Sequence, residues 1–139
     1  MKILILNGAN LNLLGTREPD IYGSTSMDDV LTHLQSYYSQ HTIEYFQSNF
    51  EGEIIGKIQE NDFDALVINP GAFTHYSFAI ADALKNLKKP KIEVHISNIY
   101  QREEFRQKSV TAAYTDAVLS GFGTEGYRLA IIHLISTMQ

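Results

Sequence analysis

The stretch "ALVINPGAFTHYSFAIADALKNLKKPKIEVHI", residues 65–96, reads as strand, helix, strand. Ala65–Asn69 is a short apolar, β-favouring run, and the turn residues Pro70 and Gly71 end it. A helical pattern then runs from about His75 to Leu87 and stops before Pro90, which cannot continue a helix. Lys91–Ile96 follows as another strand. A helical crossover between two short strands is the connection parallel pairing requires. The first of these strands has no polar face, so layers must cover the sheet on both sides.

The same alternation extends in both directions. Further β-rich runs lie at Lys2–Leu6, Ile43–Gln47 and Ala117–Leu119. Val30, Leu31, Leu34 and Tyr38 recur at helical spacing behind Ser26, a capping residue with Asp29 three positions on. Ile54, Ile55 and Ile58 mark a second, short helix interrupted by Gly56, and Tyr127, Ala130, Ile131, Leu134 and Met138 share one face of a last helix. Five strands alternating with helices predict a flavodoxin-like three-layer α/β/α sandwich, with a five-stranded parallel sheet in the order 2-1-3-4-5. The whole chain, residues 1–139, is read as a single domain of that kind, without repeat or linker.

Composition narrows the function. Hydrophobic residues make up 44% and charged residues 19%, a globular balance. Eleven Lys and Arg against sixteen Asp and Glu give a net charge of -5, so there is no basic stripe for a nucleic acid. An anionic ligand would therefore need a locally cationic site. The absence of cysteine excludes disulfides, thiolate metal ligands and a cysteine nucleophile. With no membrane-length apolar run, the chain is expected to be cytoplasmic, without partners in membrane or nucleic acid.

A sheet of this kind binds ligands beyond the carboxyl ends of its strands. The loops there are "GANLNLLGTREPDIYG" (8–23), "NPGAFTH" (69–75), "EVHISN" (93–98) with the following "IYQREEFR", and "GFGTEG" (121–126). The glycines of the last loop spell G-x-G-x-x-G, but no strand follows to supply a ribose-binding acid. They are expected to allow tight helix–strand packing instead. A flavin site wants a Ser/Thr-rich first loop, and a phosphoacceptor domain wants an aspartate ending strand 3, where Asn69 stands.

Glu93, His95 and Ser97 alternate along strand 4 and so share one side of the sheet. A carboxylate two residues from an imidazole fixes its tautomer and favours its protonated form, as a general acid needs. Taken alone, the same pair is equally a buried histidine satisfied by a neighbour. His75 and Asp82 stand seven apart on the predicted helix, and Arg102 and Arg106 four apart on a predicted helical turn. Alone, the arginines read as a solvated face laced with Glu103 and Glu104. His33, His41 and His133 lie on helices or helix ends, away from the strand tips. Arg17 and Tyr22 share the first loop. A free phenol has a pKa near 10, and lowering it by about two units needs about 2.7 kcal/mol, which one or two guanidinium groups can supply in a water-poor site. Proton abstraction by a phenolate, with His95 protonating a leaving hydroxyl, is then available chemistry.

Four stretches, "NGANLNLLGTREPDIYG" (7–23), "INPGAFTHYS" (68–77), "EVHISNIYQREEFR" (93–106) and "GFGTEGY" (121–127), resemble in order and spacing the motifs of the type II 3-dehydroquinate dehydratase family. The resemblance spans the chain and implies a flavodoxin-like hydro-lyase of the shikimate pathway, acting without metal or cofactor on a small anionic carbocyclic substrate. It makes Tyr22 the base for the C2 proton and His95 the acid for the leaving hydroxyl, with Glu93 as the partner of His95. By the same resemblance Arg17 is a charge stabiliser on a lid, Arg102 a second arginine near the tyrosine, and Asn10 the holder of a water against the enolate oxygen. Asn69, His75, Asp82 and Arg106 match substrate contacts, and Ile96 and Ser97 the backbone N–H pair on the carboxylate. A homododecamer, a tetramer of trimers, is implied as well. Ala9 stands where the family more often has proline, so this turn keeps a freer φ. The rival readings are a non-catalytic small-anion binding module and a flavin carrier.

Overall fold

The computed structural model describes residues 1–15 and 25–138. Its strands are β1 (Lys2–Asn7), β2 (Thr42–Gln47), β3 (Ala65–Asn69), β4 (Lys91–His95) and β5 (Ala117–Ser120). They form one parallel sheet in the order β2-β1-β3-β4-β5, as the alternation predicted. Four α-helices occur among the described residues: α1 (Met27–Tyr37), α2 (Glu51–Glu60), α3 (Phe78–Asn86) and α4 (Glu125–Met138).

The side-chain alternation of the strands builds two cores. Ile3, Ile5, Val67 and Val94 pack against Leu31 and Leu34 of α1 and Tyr127, Ala130, Ile131 and Leu134 of α4. Leu4, Leu6, Leu66 and Ile68 point the other way, onto Ile54 and Ile58 of α2 and Ile80 and Leu84 of α3. The result is the three-layer, flavodoxin-like arrangement. Each fully buried Leu or Ile contributes about 1.5–3 kcal/mol of transfer free energy, so the two faces together dominate the stability of the fold.

Local chemistry sets the ends of the helices. Ser26 caps α1 through a complete capping box: its hydroxyl accepts from the Asp29 N–H (3.2 Å), and the Asp29 carboxylate accepts from the Ser26 N–H (3.4 Å). The third helix starts later than its apolar spacing suggested. Residues Gly71–His75 form a 3-10 turn, and the Ser77 hydroxyl accepts from the Ile80 N–H (3.0 Å), so α3 begins at Phe78. His75 is thus detached from the helix that carries Asp82. Arg102 and Arg106 likewise end two successive 3-10 turns, at Ile99–Gln101 and Glu104–Arg106, in place of one helical turn.

One close approach needs glycine and a second is eased by it. A Cβ on Gly8 would lie 2.1 Å from the Pro70 carbonyl oxygen, so only glycine lets the loop after β1 pass against the loop after β3. A Cβ on Gly126 would meet Val94 Cγ1 at 3.0 Å, the tight α4–β4 packing expected of the glycine-rich loop. β1 connects to β2 on one side and β3 lies on the other, so strand order reverses between β1 and β3. The carboxyl ends of those strands and of β4 open onto one crevice.

Candidate active site

Cross-strand register puts Asn7 beside Asn69 at the ends of β1 and β3. Beyond them lies a cavity of about 140 Å³ whose lining includes Asn10, Asn69, His75, His95, Ile96, Ser97, Arg102 and Arg106. These residues come from three separate loops. An open depression of about 730 Å³ adjoins it, sharing Ile96, Ser97 and Arg102 and bounded by Asn98 and Gly121. Glu93 is wholly buried behind His95. Asp82 is exposed on α3 and does not line the cavity of a single chain. Arg17 and Tyr22 lie outside the described residues.

The backbone holds these groups in place. Asn10 sits at φ 68, a left-handed conformation asparagine tolerates, and its N–H donates to Asn49 Oδ1 (2.9 Å). The Gln47 amide donates to the Gly8 carbonyl (3.2 Å) and ties the same turn to β2. Asn69 accepts from the Gly71 N–H through Oδ1 (3.1 Å) and donates through Nδ2 to the buried Tyr127 hydroxyl (3.0 Å), which orients its amide. The Ile96 and Ser97 carbonyls accept from the Gly123 N–H (3.0 Å) and the Ser120 hydroxyl (3.2 Å), anchoring the chain just past β4.

The charges are arranged for an anion. The Arg102 guanidinium donates to Ser97 Oγ (3.2 Å), and Arg106 pairs with Glu103 (2.7 Å) while still lining the cavity. His95 Nε2 lies 2.7 Å from Glu93 Oε2, leaving Nδ1 as the ring nitrogen for the cavity. Burial opposes ionisation of Glu93, but the hydrogen bond and charge of His95, with the Thr111 and Ser109 hydroxyls, outweigh it and hold the carboxyl below its ordinary range. His75 is also lowered, which for an imidazole favours the neutral form. Burial, joined by the charges of His95, Arg106 and Arg102, holds its imidazole below the usual histidine value against the opposing bond to the Lys108 carbonyl. It is neutral at pH 7, and donating Nδ1–H to that carbonyl (2.7 Å) leaves Nε2 as an acceptor for a hydroxyl.

This arrangement can bind a small carboxylate, accept from its hydroxyls and deliver a proton from an imidazole. Sequence reasoning missed Thr74, Ser109, Thr111 and Tyr127 as parts of the site. Thr74 and Tyr127 sit inside quoted motifs, but Ser109 and Thr111 carry no pattern in the sequence that marks them.

Comparison with known proteins covers the whole chain. Residues 1–135 match the family model for dehydroquinase class II. The 3-dehydroquinate dehydratase of Thermotoga petrophila is 53% identical over 141 residues, covering 100% of this chain and 98% of that protein. The one from Aliarcobacter butzleri is 51% identical over 143 residues, covering 100% and 87%. The crystal structure of type II dehydroquinase from Propionibacterium acnes superposes with a TM-score of 0.93 at 46% identity, covering 97% of this chain and 96% of that one. A switch-point cavity carrying a buried Glu–His pair and two arginines, on a chain that matches in fold, length and sequence, has one family to which it belongs: the class II dehydroquinases.

Proposed function

We propose a division of labour among this chain's residues for the dehydration of 3-dehydroquinate to 3-dehydroshikimate, the shikimate-pathway reaction that its family carries out. The Tyr22 phenolate, its charge favoured by Arg17 and Arg102, takes the proton from C2. The C–H electron pair moves into the ring carbonyl as an enolate, whose oxygen is met by a water that Asn10 positions. His95, held by Glu93, then gives its proton to the hydroxyl on C1. The enolate collapses, the C1–O bond breaks, and water leaves. Ile96 and Ser97 bind the carboxylate through their N–H groups, and Asn69, His75 and Arg106 contact the substrate's oxygens. Asp82, which lies outside the cavity of its own chain, is assigned a contact to the substrate bound by another copy within a dodecamer built from trimers.

The observation that carries this reading is the buried Glu93–His95 pair at the wall of a cavity that Arg102 and Arg106 also line. The reaction needs proton transfer and a carbonyl already in the substrate, so the residues named suffice for it. No helix among the described residues is long and apolar enough to cross a membrane, and the cytoplasmic placement we propose rests on membership of a biosynthetic enzyme family.

The test is direct. Added 3-dehydroquinate should yield a conjugated enone carboxylate, seen as rising near-ultraviolet absorbance under catalytic amounts of protein. Saturable binding without that rise would make the chain an anion-binding module.

A further inference from the structure

We propose that Thr74, Ser109 and Thr111 form a hydroxyl cage that keeps the Glu93 carboxylate a weak proton acceptor, so that the proton shared with His95 stays on the imidazole and remains available to the cavity. Thr111 is the positioning residue on which this depends most. The inference rests on His95 being the acid, as assigned above.

A buried carboxylate in contact with an imidazolium competes for its proton, and the two titrate as a pair. Glu93 is 0% exposed, so bulk solvent does not reach it to weaken its basicity. Hydroxyls do so instead. Ser109 Oγ donates to Glu93 Oε2 at 2.8 Å and Thr111 Oγ1 donates to Oε1, while Thr74 Oγ1 lies 3.2 Å from Oε2 and closer to the two other hydroxyls. With His95 and Ser109 filling the two lone-pair sites of Oε2 and Thr111 on Oε1, three donors meet the ionised carboxylate, and Thr74 backs the two hydroxyls. Among the described residues Thr111 is the donor to Oε1, which is why its loss should matter most.

The cage is built from two parts of the chain. Thr74 belongs to the 3-10 turn after β3, and Ser109 and Thr111 come from the segment leading to β5. The Val110 N–H donates to the Thr74 carbonyl (2.7 Å) and locks the two parts together. The Ala112 N–H donates to Ser109 Oγ (3.0 Å), which occupies a lone pair and turns the hydroxyl proton toward Glu93. Thr74 Oγ1 also lies 2.6 Å from Ser109 Oγ and 2.7 Å from Thr111 Oγ1, and Thr74 and Thr111 are both wholly buried. Among the described residues, the other charged or titratable groups near the pair are His75 on the turn after β3, Arg102 and Arg106 after β4, and Lys91 on β4 itself. The Lys91 ammonium is spoken for by the Leu87 carbonyl (2.7 Å). None of them donates to Glu93, so among the described residues the cage and His95 set its basicity.

Removing one donor makes the carboxylate a stronger base. The pair then binds its proton more tightly and holds it nearer Glu93, so His95 gives it up more slowly. Thr111→Val should lower kcat about tenfold with KM unchanged. It should also move the high-pH limb of kcat upward by about one unit, a tenfold rise in the pair's proton affinity. Titration of ¹³C-labelled histidine, with the His95 signal assigned through His95→Gln, should move upward equally, and Thr111→Ser should restore both. Ser109→Ala gives a second test of the same sign should Thr111→Val not fold. A fall in kcat with an unmoved His95 titration would reduce the cage to packing and overturn the proposal. Turnover surviving in His95→Gln, while the titration still moves in Thr111→Val, would instead overturn the assignment of His95 as the acid and leave the cage standing.

Discussion

Replacing Tyr127 with phenylalanine removes a single oxygen from the centre of the fold. Tyr127 is wholly buried, and burial pushes its phenol far above its ordinary value, against the bonds from Asn69 and Asn7. It is therefore a neutral donor at any working pH. The hydroxyl donates to Asn7 Oδ1 (2.8 Å) and accepts from Asn69 Nδ2 (3.0 Å), so its loss takes a partner from one buried atom of each amide. Each orphaned group costs about 1–3 kcal/mol. Asn7 and Asn69 are register partners, and their amides can turn partly toward each other, which brings the sum to about 3 kcal/mol. At about 3 °C per kcal/mol for a chain of this length, Tm should fall by about 10 °C. Asn69 also loses the bond that orients it toward the cavity, so KM should rise while kcat changes less. Differential scanning calorimetry and steady-state kinetics on the same preparation give both readings. A fall in Tm below about 2 °C with an unchanged KM would refute the argument, because the hydroxyl would then hold nothing in place.

Three other outcomes can be checked. Tyr22→Phe should lower kcat by about 10²–10⁴-fold with ligand affinity kept, and adding Arg17→Ala should cost far less than its own single effect; a variant keeping more than about a tenth of wild-type kcat would remove Tyr22 from the base role. Glu93 has a depressed folded value, so its stabilisation is present above its unfolded value near 4.5 and is lost as pH falls through the lower folded value; acid unfolding followed by circular dichroism should show a shallower slope in that window for Glu93→Gln, and an unchanged slope would contradict the assignment. Light scattering should give a particle near twelve copies of the 15.7 kDa chain, and a mass of one or two chains would exclude the dodecamer.

The sheet and its order were legible in the sequence because they depend on period and connection. Apolar runs such as Ala65–Asn69 alternate with helical spacing, and a parallel crossover leaves few topologies. The site was legible where chemistry is local. Glu93 and His95 sit two apart on one strand, and alternation alone puts them on one side. Reading failed where a competing local bond won. The spacing of His75 and Asp82 suits one helix, but Ser77 offers a better cap, and the chain between Gly71 and His75 closes into a 3-10 turn. Tertiary structure decided which generic residues serve the site. Thr111 is 18 residues from Glu93, and Tyr127 is 120 from Asn7; no periodicity links such positions. A threonine or a tyrosine looks the same in sequence whether it caps a turn or holds a buried carboxylate. What separates the two cases is burial, because a polar group removed from water must find its partner within the fold, and that partner is chosen by packing across the sheet and not by neighbours along the chain.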